Sequence, residues 1–178
     1  VGPGDPSDRF GYWMARFTGP GPALIPTTAG RYVQVIDVDD LADWLLLVGI
    51  DRRTGIANAV GPPHPFSAVL EQVRLTTGFR GEIVAATDED LLANDVGYWA
   101  GPRSLPLWLP AAYAGFARRR ADAFGSTGGT TRPLAMTVTR TLEDELKRGV
   151  DRPRRAGLTQ ADEFEIIRTI MATRNDTE

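Results

Sequence analysis

Residues 31–48 read RYVQVIDVDDLADWLLLV, and the change of period inside this run constrains the fold more than any other feature. Tyr32 to Ile36 has the composition of a strand. Asp37, Asp39 and Asp40 follow at once, and a helix from about Asp39 to Ile50 then places Leu41, Trp44, Leu45 and Val48 on one face. Carboxylates in a first helical turn cap free N–H groups and face the positive end of the helix dipole. Capping therefore explains the acids without a bound cation. A strand that feeds directly into a helix is the building unit of an α/β arrangement with some parallel pairing.

The alternation recurs along the chain. Phe10, Trp13, Met14 and Phe17 fall on one face of a first helix, with Trp13 as core and Tyr12, off that stripe, free to face a ligand. TGIANAVG (54–61) reads as a short strand, and Phe66, Val69, Leu70 and Val73 as a helix that Gly78 ends. A strand over 82–86 precedes a short helix from Asp88 to Asn94 that Thr87 can cap. Residues 97–116 form a proline-interrupted apolar stretch of the kind that folds over a pocket. Leu134, Val138, Leu142 and Leu146 repeat at helical spacing between Pro133 and Gly149, supported by Glu143/Lys147 and Asp144/Arg148. A last helix starts near Thr159 and carries Phe164, Ile167 and Met171.

The composition excludes several chemistries. The chain has 178 residues, enough for one core, with no cysteine and one histidine, so thiolate nucleophiles, disulfides and histidine-based metal clusters are ruled out. His64 lies between prolines and reads as a turn residue. A serine nucleophile would need it as base, and no GxSxG elbow exists. Neither a P-loop nor a GxGxxG after a strand is present, and GSTGGTTRP (125–133) reads as a turn. The apolar run Trp44 to Ile50 is too short to cross a bilayer, which makes the cytoplasm the expected compartment and a membrane partner unexpected. Basic side chains cluster late, ten against five acids over residues 116–155. Arg118 to Arg120 could attract nucleic acid or an anionic ligand, but solvated helix faces are the commoner reading of such a run, and the interleaved aromatics of an RNA-binding sheet are lacking. No nucleic-acid partner is expected.

The order of VGPGDP, an aromatic helix, RYVQVIDVDDLADWLL, GIANAVGPPHPFSAVLEQVRLTTG and RPLAMTVTRTLEDELK resembles the C-terminal half of the extended short-chain dehydrogenase/reductases, in their epimerase/dehydratase-like or reductase-like branches. The likeness runs over about residues 1–148. It implies a partial fold whose Rossmann half, with the glycine-rich cofactor loop and the catalytic Tyr-x-x-x-Lys, is missing from this chain. YWMAR at Tyr12 to Arg16 is the nearest approach to that pair, and arginine does not replace the lysine. No catalytic residue and no metal ligand is therefore expected here.

By the same resemblance, VGP at Val1, Gly2 and Pro3 is the loop bordering the nicotinamide, and the strand-helix junction is part of the substrate wall. Nucleotide-sugar epimerases of the family carry an arginine where this chain has Val33; Arg31, two residues earlier, faces the same side. A smaller or more apolar ligand is the expectation, held by Phe10, Tyr12, Arg31, Gln34, Trp99 and Trp108. The resemblance implies NAD or NADP as cofactor of the complete protein, with none binding this chain alone. The implied function is the substrate-binding part of an NAD(P)-dependent oxidoreductase or epimerase, inactive by itself; a non-catalytic ligand-binding or protein-interaction module derived from that fold is the alternative. Residues 1–149 form the substrate-binding subdomain and 150–178 a linker and helix of the same domain. Expected partners are a small-molecule substrate, the missing Rossmann half or a separate cofactor-binding chain, and a second copy in a homodimer.

Overall fold

The computed structural model describes residues 1–175; residues 176–178, the end of the expected C-terminal segment, lie outside the described residues. At its centre is a helix rather than a sheet. Helix α1 (Arg9–Thr18) buries Phe10, Tyr12, Trp13, Met14 and Phe17, because neighbours close on it from several sides. Those neighbours are α3 (Phe66–Thr77), α6 (Leu134–Arg148) and the short strands β7 (Ser104–Pro106) and β8 (Ala156–Gly157). Each large apolar side chain enclosed in this way contributes about 1.5–3 kcal/mol. The buried Trp13 indole satisfies its N–H on the Pro106 carbonyl at 3.0 Å.

Among the described residues the strands form four separate pairs. β1 (Ala23–Pro26) lies parallel to β4 (Ile83–Ala86), with Leu24 opposite Val84. β2 (Tyr32–Gln34) lies antiparallel to β3 (Pro63–Pro65), with Val33 opposite His64. β5 (Gly97–Trp99) is parallel to β7, and β6 (Gly101–Pro102) is parallel to β8. The mixed α/β character with short strands and some parallel pairing matches the sequence pattern.

Several local elements form for the reasons visible in the sequence. Gly78 adopts φ 72° and closes α3 through its N–H on the Arg74 carbonyl. Thr87 and Asp90 make a reciprocal capping box at the head of α4 (Asp88–Ala93), with both bonds at 3.1 Å. Asp37 caps α2 (Val38–Ile50) by accepting the Asp39 N–H at 3.1 Å. Asp40 takes two bonds of 2.8 Å from the Arg132 N–H and guanidinium, and Arg140 pairs with Asp39. The three acids thus hold a helix start against the head of α6.

Other expectations are corrected. The apolar face of α2 is not buried: no residue of that helix is, and Leu45, Leu46 and Ile50 are 53%, 65% and 80% exposed. Residues 54–61 form no strand, since no neighbouring strand offers them a ladder, and Ile56 stands 98% exposed. The strand lies instead at 63–65, where the prolines had suggested a turn. In α6 the buried face is Thr137, Val138, Thr141 and Glu145, while Leu146 is exposed. In α7 (Gln160–Asn175) the core takes Glu163, Ile166, Ile167 and Ile170, and Phe164 and Met171 face out. These buried α7 isoleucines join the core of α1 and β1, and α7 packs on β1.

Candidate functional site

A cavity of about 200 Å³ opens beside β2. Strand β2 supplies Tyr32, Val33 and Gln34 as one wall, and Trp99 and Leu107 supply another. Val60, from the segment that does not form a strand, closes one end. The roof is a strap from about residue 109 to 121, containing a 3-10 turn at Ala111–Tyr113 and placing Phe116, Ala117 and Arg119 over the opening. Trp99 and Phe116 meet edge to face with ring centroids 5.3 Å apart.

Gln34 fastens the strap. Its amide donates to the Gly61 carbonyl at 2.9 Å and the Arg119 carbonyl at 2.8 Å, and its oxygen accepts the Arg119 N–H at 2.8 Å. Arg118 adds a cation–π contact, its guanidinium carbon 4.9 Å from the Tyr32 ring centre. Arg9 lies in the same way 5.1 Å from the Trp99 ring centre. Trp99 and Leu107 both adopt left-handed backbone, φ 67° and 68°, a conformation that costs a bulky side chain about 1–3 kcal/mol. The Trp99 N–H on the Trp108 carbonyl at 3.0 Å helps to hold it.

Of the side chains expected to meet a ligand, Gln34 and Trp99 line this cavity. Arg31 does not: its guanidinium bonds the Leu109 and Thr27 carbonyls at 3.2 and 2.7 Å and pairs with Asp88. Asp88 in turn accepts the Trp108 indole N–H at 3.1 Å. Phe10, Tyr12 and Trp108, 1%, 2% and 0% exposed, are core residues instead of wall residues, because α1 is enclosed and Trp108 stacks on Tyr98 at 3.9 Å. Val1 and Gly2 run along the junction between β2 and α2. The Val1 amino group donates to the Ile36 carbonyl at 3.0 Å, and the Val38 N–H returns to the Val1 carbonyl at 2.8 Å. Gly2, with φ 116°, brings its backbone against Val38 and Asp37, and the half-buried Pro3 follows it.

Tyr12 and Arg16 are both held inside the fold. The Tyr12 hydroxyl is buried with the Leu158 main chain beside it but no hydrogen bond of good geometry, and burial together with the Glu163 charge pushes its pKa well above the usual range. Arg16 is held by Glu163 and by the Pro22 carbonyl. Burial keeps the Glu163 carboxyl above its ordinary pKa despite that partner, and the Leu24 N–H donates to it at 2.8 Å. His64, paired in the β2–β3 ribbon, has its pKa lowered by burial.

Val60, Phe116 and Ala117 carry no sequence signal of their own. Arg119 lies within a run of three arginines, and only the fold selects it for the rim. Among the described residues it is the one charged residue lining either the cavity or an adjoining, more open cleft. No helix among the described residues is long and apolar enough to cross a membrane.

No family model and no curated sequence relative matches the chain. Two solved structures are similar in shape. One is RMD from Pseudomonas aeruginosa complexed with NADPH, at 15% identity over 84% of this chain and 46% of that chain, with a TM-score of 0.53. The other is the crystal structure of gox2253, at 16% identity over 84% of this chain and 47% of that chain, with a TM-score of 0.49. The chain thus spans less than half the length of either neighbour, and over that length it shares the mixed α/β fold of part of the NADPH-complexed RMD.

Proposed function

We propose that this chain is the ligand-binding part of an NAD(P)-dependent oxidoreductase or epimerase of the extended short-chain dehydrogenase/reductase type. In that reading a nucleotide-binding half, on the same polypeptide or on a separate one, supplies the cofactor site and the proton-transfer pair. Hydride transfer then takes place between the nicotinamide and a carbonyl or alcohol held by this chain.

One observation carries the reading. Helix α2 is rich in leucine yet buries none of its residues, and Ile56 stands bare in the following segment. An apolar patch of this kind marks a surface that another body covers. The partial fold shared with RMD, whose structure holds NADPH, supports a nucleotide-binding half as that body. The withdrawal of Tyr12 and Arg16 into the core agrees with a chain that lacks its own chemistry. The same withdrawal favours a second reading, a non-catalytic ligand-binding module derived from the fold.

The test is an NADPH and NADH fluorescence titration of this chain alone and of the polypeptide extended upstream of Val1, with hydrogen exchange followed over residues 38–50. The expected result is no binding by the chain alone, binding by the extended polypeptide, and slower exchange in α2 once it is extended. Stoichiometric cofactor binding by the 178 residues alone would overturn the reading. An extended polypeptide that binds the ligand but no dinucleotide would favour the module.

A further inference from the structure

We infer that the cavity roofed by the strap takes a small apolar carboxylate, one ring on a short chain, with its anionic head at Arg119. The inference rests on the cavity being the ligand site and adds the class of ligand it holds.

Size comes first. At about 200 Å³ the space exceeds the ~150 Å³ of an engineered cavity that accepts benzene and falls below the ~300–1,000 Å³ of sites for larger ligands. The walls fix the body of the ligand. Trp99, Leu107, Phe116 and Val60 present apolar surface, and the Gln34 amide on the polar wall is already engaged. The Gln34 amide spends its nitrogen on Gly61 and Arg119 and its oxygen on the Arg119 N–H. A sugar ring entering here would find few free hydrogen-bond partners for its hydroxyl groups.

The head group follows from charge. Arg31 is neutralised by Asp88, and Arg120 pairs with Asp122 at 2.7 Å. Arg118 lies against Tyr32. Arg119, which lines both the cavity and the open cleft of about 270 Å³ beside it, has no carboxylate partner among the described residues. Gln34 pins its main chain from both sides, so this exposed side chain starts from a fixed point at the mouth and is free to turn to a ligand. A single guanidinium there suits one carboxylate; a diphosphate would call for more positive charge than the rim carries.

The test is titration calorimetry of this chain with 3-phenylpropanoate, with 3-phenylpropan-1-ol as its uncharged counterpart and UDP-glucose as the nucleotide-sugar control. The variants are Arg119→Gln, which keeps the main-chain clamp, and Ala117→Phe, which fills the cavity from the strap. Val60→Trp fills it from the opposite end should the first filling variant fail to fold. The acid should bind more tightly than the alcohol. Arg119→Gln should weaken the acid about fivefold and leave the alcohol unchanged, and filling should abolish both. Equal binding of acid and alcohol, or an equal loss of both in Arg119→Gln, overturns the anionic head while the cavity stands as the ligand site. Retained binding in both filling variants overturns the cavity itself. Absence of acid binding at millimolar concentration, or UDP-glucose binding that filling abolishes, overturns the ligand class. The cofactor titration is a separate measurement with its own ligand, so its failure and these failures are distinguishable.

Discussion

Gln34 and Arg119 exchange two hydrogen bonds of 2.8 Å, the side-chain amide of one closing on both main-chain groups of the other. The strap over the cavity is thereby tied to β2 by a group that imitates a strand partner. Replacing Gln34 with Ala removes both bonds and the third to Gly61. At about 1 kcal/mol net for each bond, and less for the two that are exposed, the loss should come to roughly 1–2 kcal/mol. Hydrogen exchange should quicken at residues 116–121 with little change in α1 or α3. Unchanged exchange in the strap would show that the clamp holds nothing.

Tyr12 offers a sharper contrast. Its hydroxyl is buried beside the Leu158 main chain with no well-formed hydrogen bond, so Tyr12→Phe removes a desolvated polar atom and leaves the ring packing intact. Stability should stay equal or rise by up to about 1 kcal/mol, and ligand binding should not change. A loss of activity in the extended polypeptide on this substitution would restore Tyr12 to the chemistry.

Asp8 sets a pH dependence. Burial alone would raise its pKa, but the Arg152 hydrogen bond, the Arg155 N–H and the charges of Arg152 and Arg154 outweigh that and lower it. A depressed carboxyl contributes stability that is present above its unfolded value and lost as the pH falls through the folded one. The window therefore lies below about pH 4. Urea midpoints for Asp8→Asn should be lower at neutral pH and should fall less steeply than wild type in that acid range. Parallel acid limbs would contradict the assignment.

The surface of α2 predicts association. With Leu46 and Ile50 largely exposed, the chain alone should pair or aggregate through this helix at high concentration. Leu46→Glu with Ile50→Lys should give a monomer by light scattering, with stability changed by no more than about 0.5 kcal/mol per site. A wild-type chain that is monomeric at the same concentration would remove the reason for a covering partner.

These features divide by what a linear pattern can carry. The caps at Asp37, Thr87 and Gly78 were legible because the capping residue and the group it satisfies are neighbours in sequence. Helix α3 was legible because one face alone is buried. Tyr12 was misread because α1 is enclosed beyond a single stripe, and periodicity reports a stripe. The apolar face of α2 and the strand expected at 54–61 were misread for a related reason: an apolar pattern does not say how much of it finds a partner, and here Trp44 meets Phe124 and Thr127 while Leu46, Ile50 and Ile56 stay exposed. Gln34 and Trp99 could be picked out by residue type, whereas Arg119 depended on a clamp spanning 85 residues of chain.

Trp99 and Leu107, held left-handed on one wall of the cavity, have a consequence for engineering. Glycine at either position would relax the main chain, yet it would also strip away surface that the core and a guest molecule both rest against. Truncating a buried leucine costs about 2–5 kcal/mol, more than the ~1–3 kcal/mol of strain relieved. Heat resistance and occupancy should therefore fall together at these two sites, and selection for either property keeps the strained side chains in place.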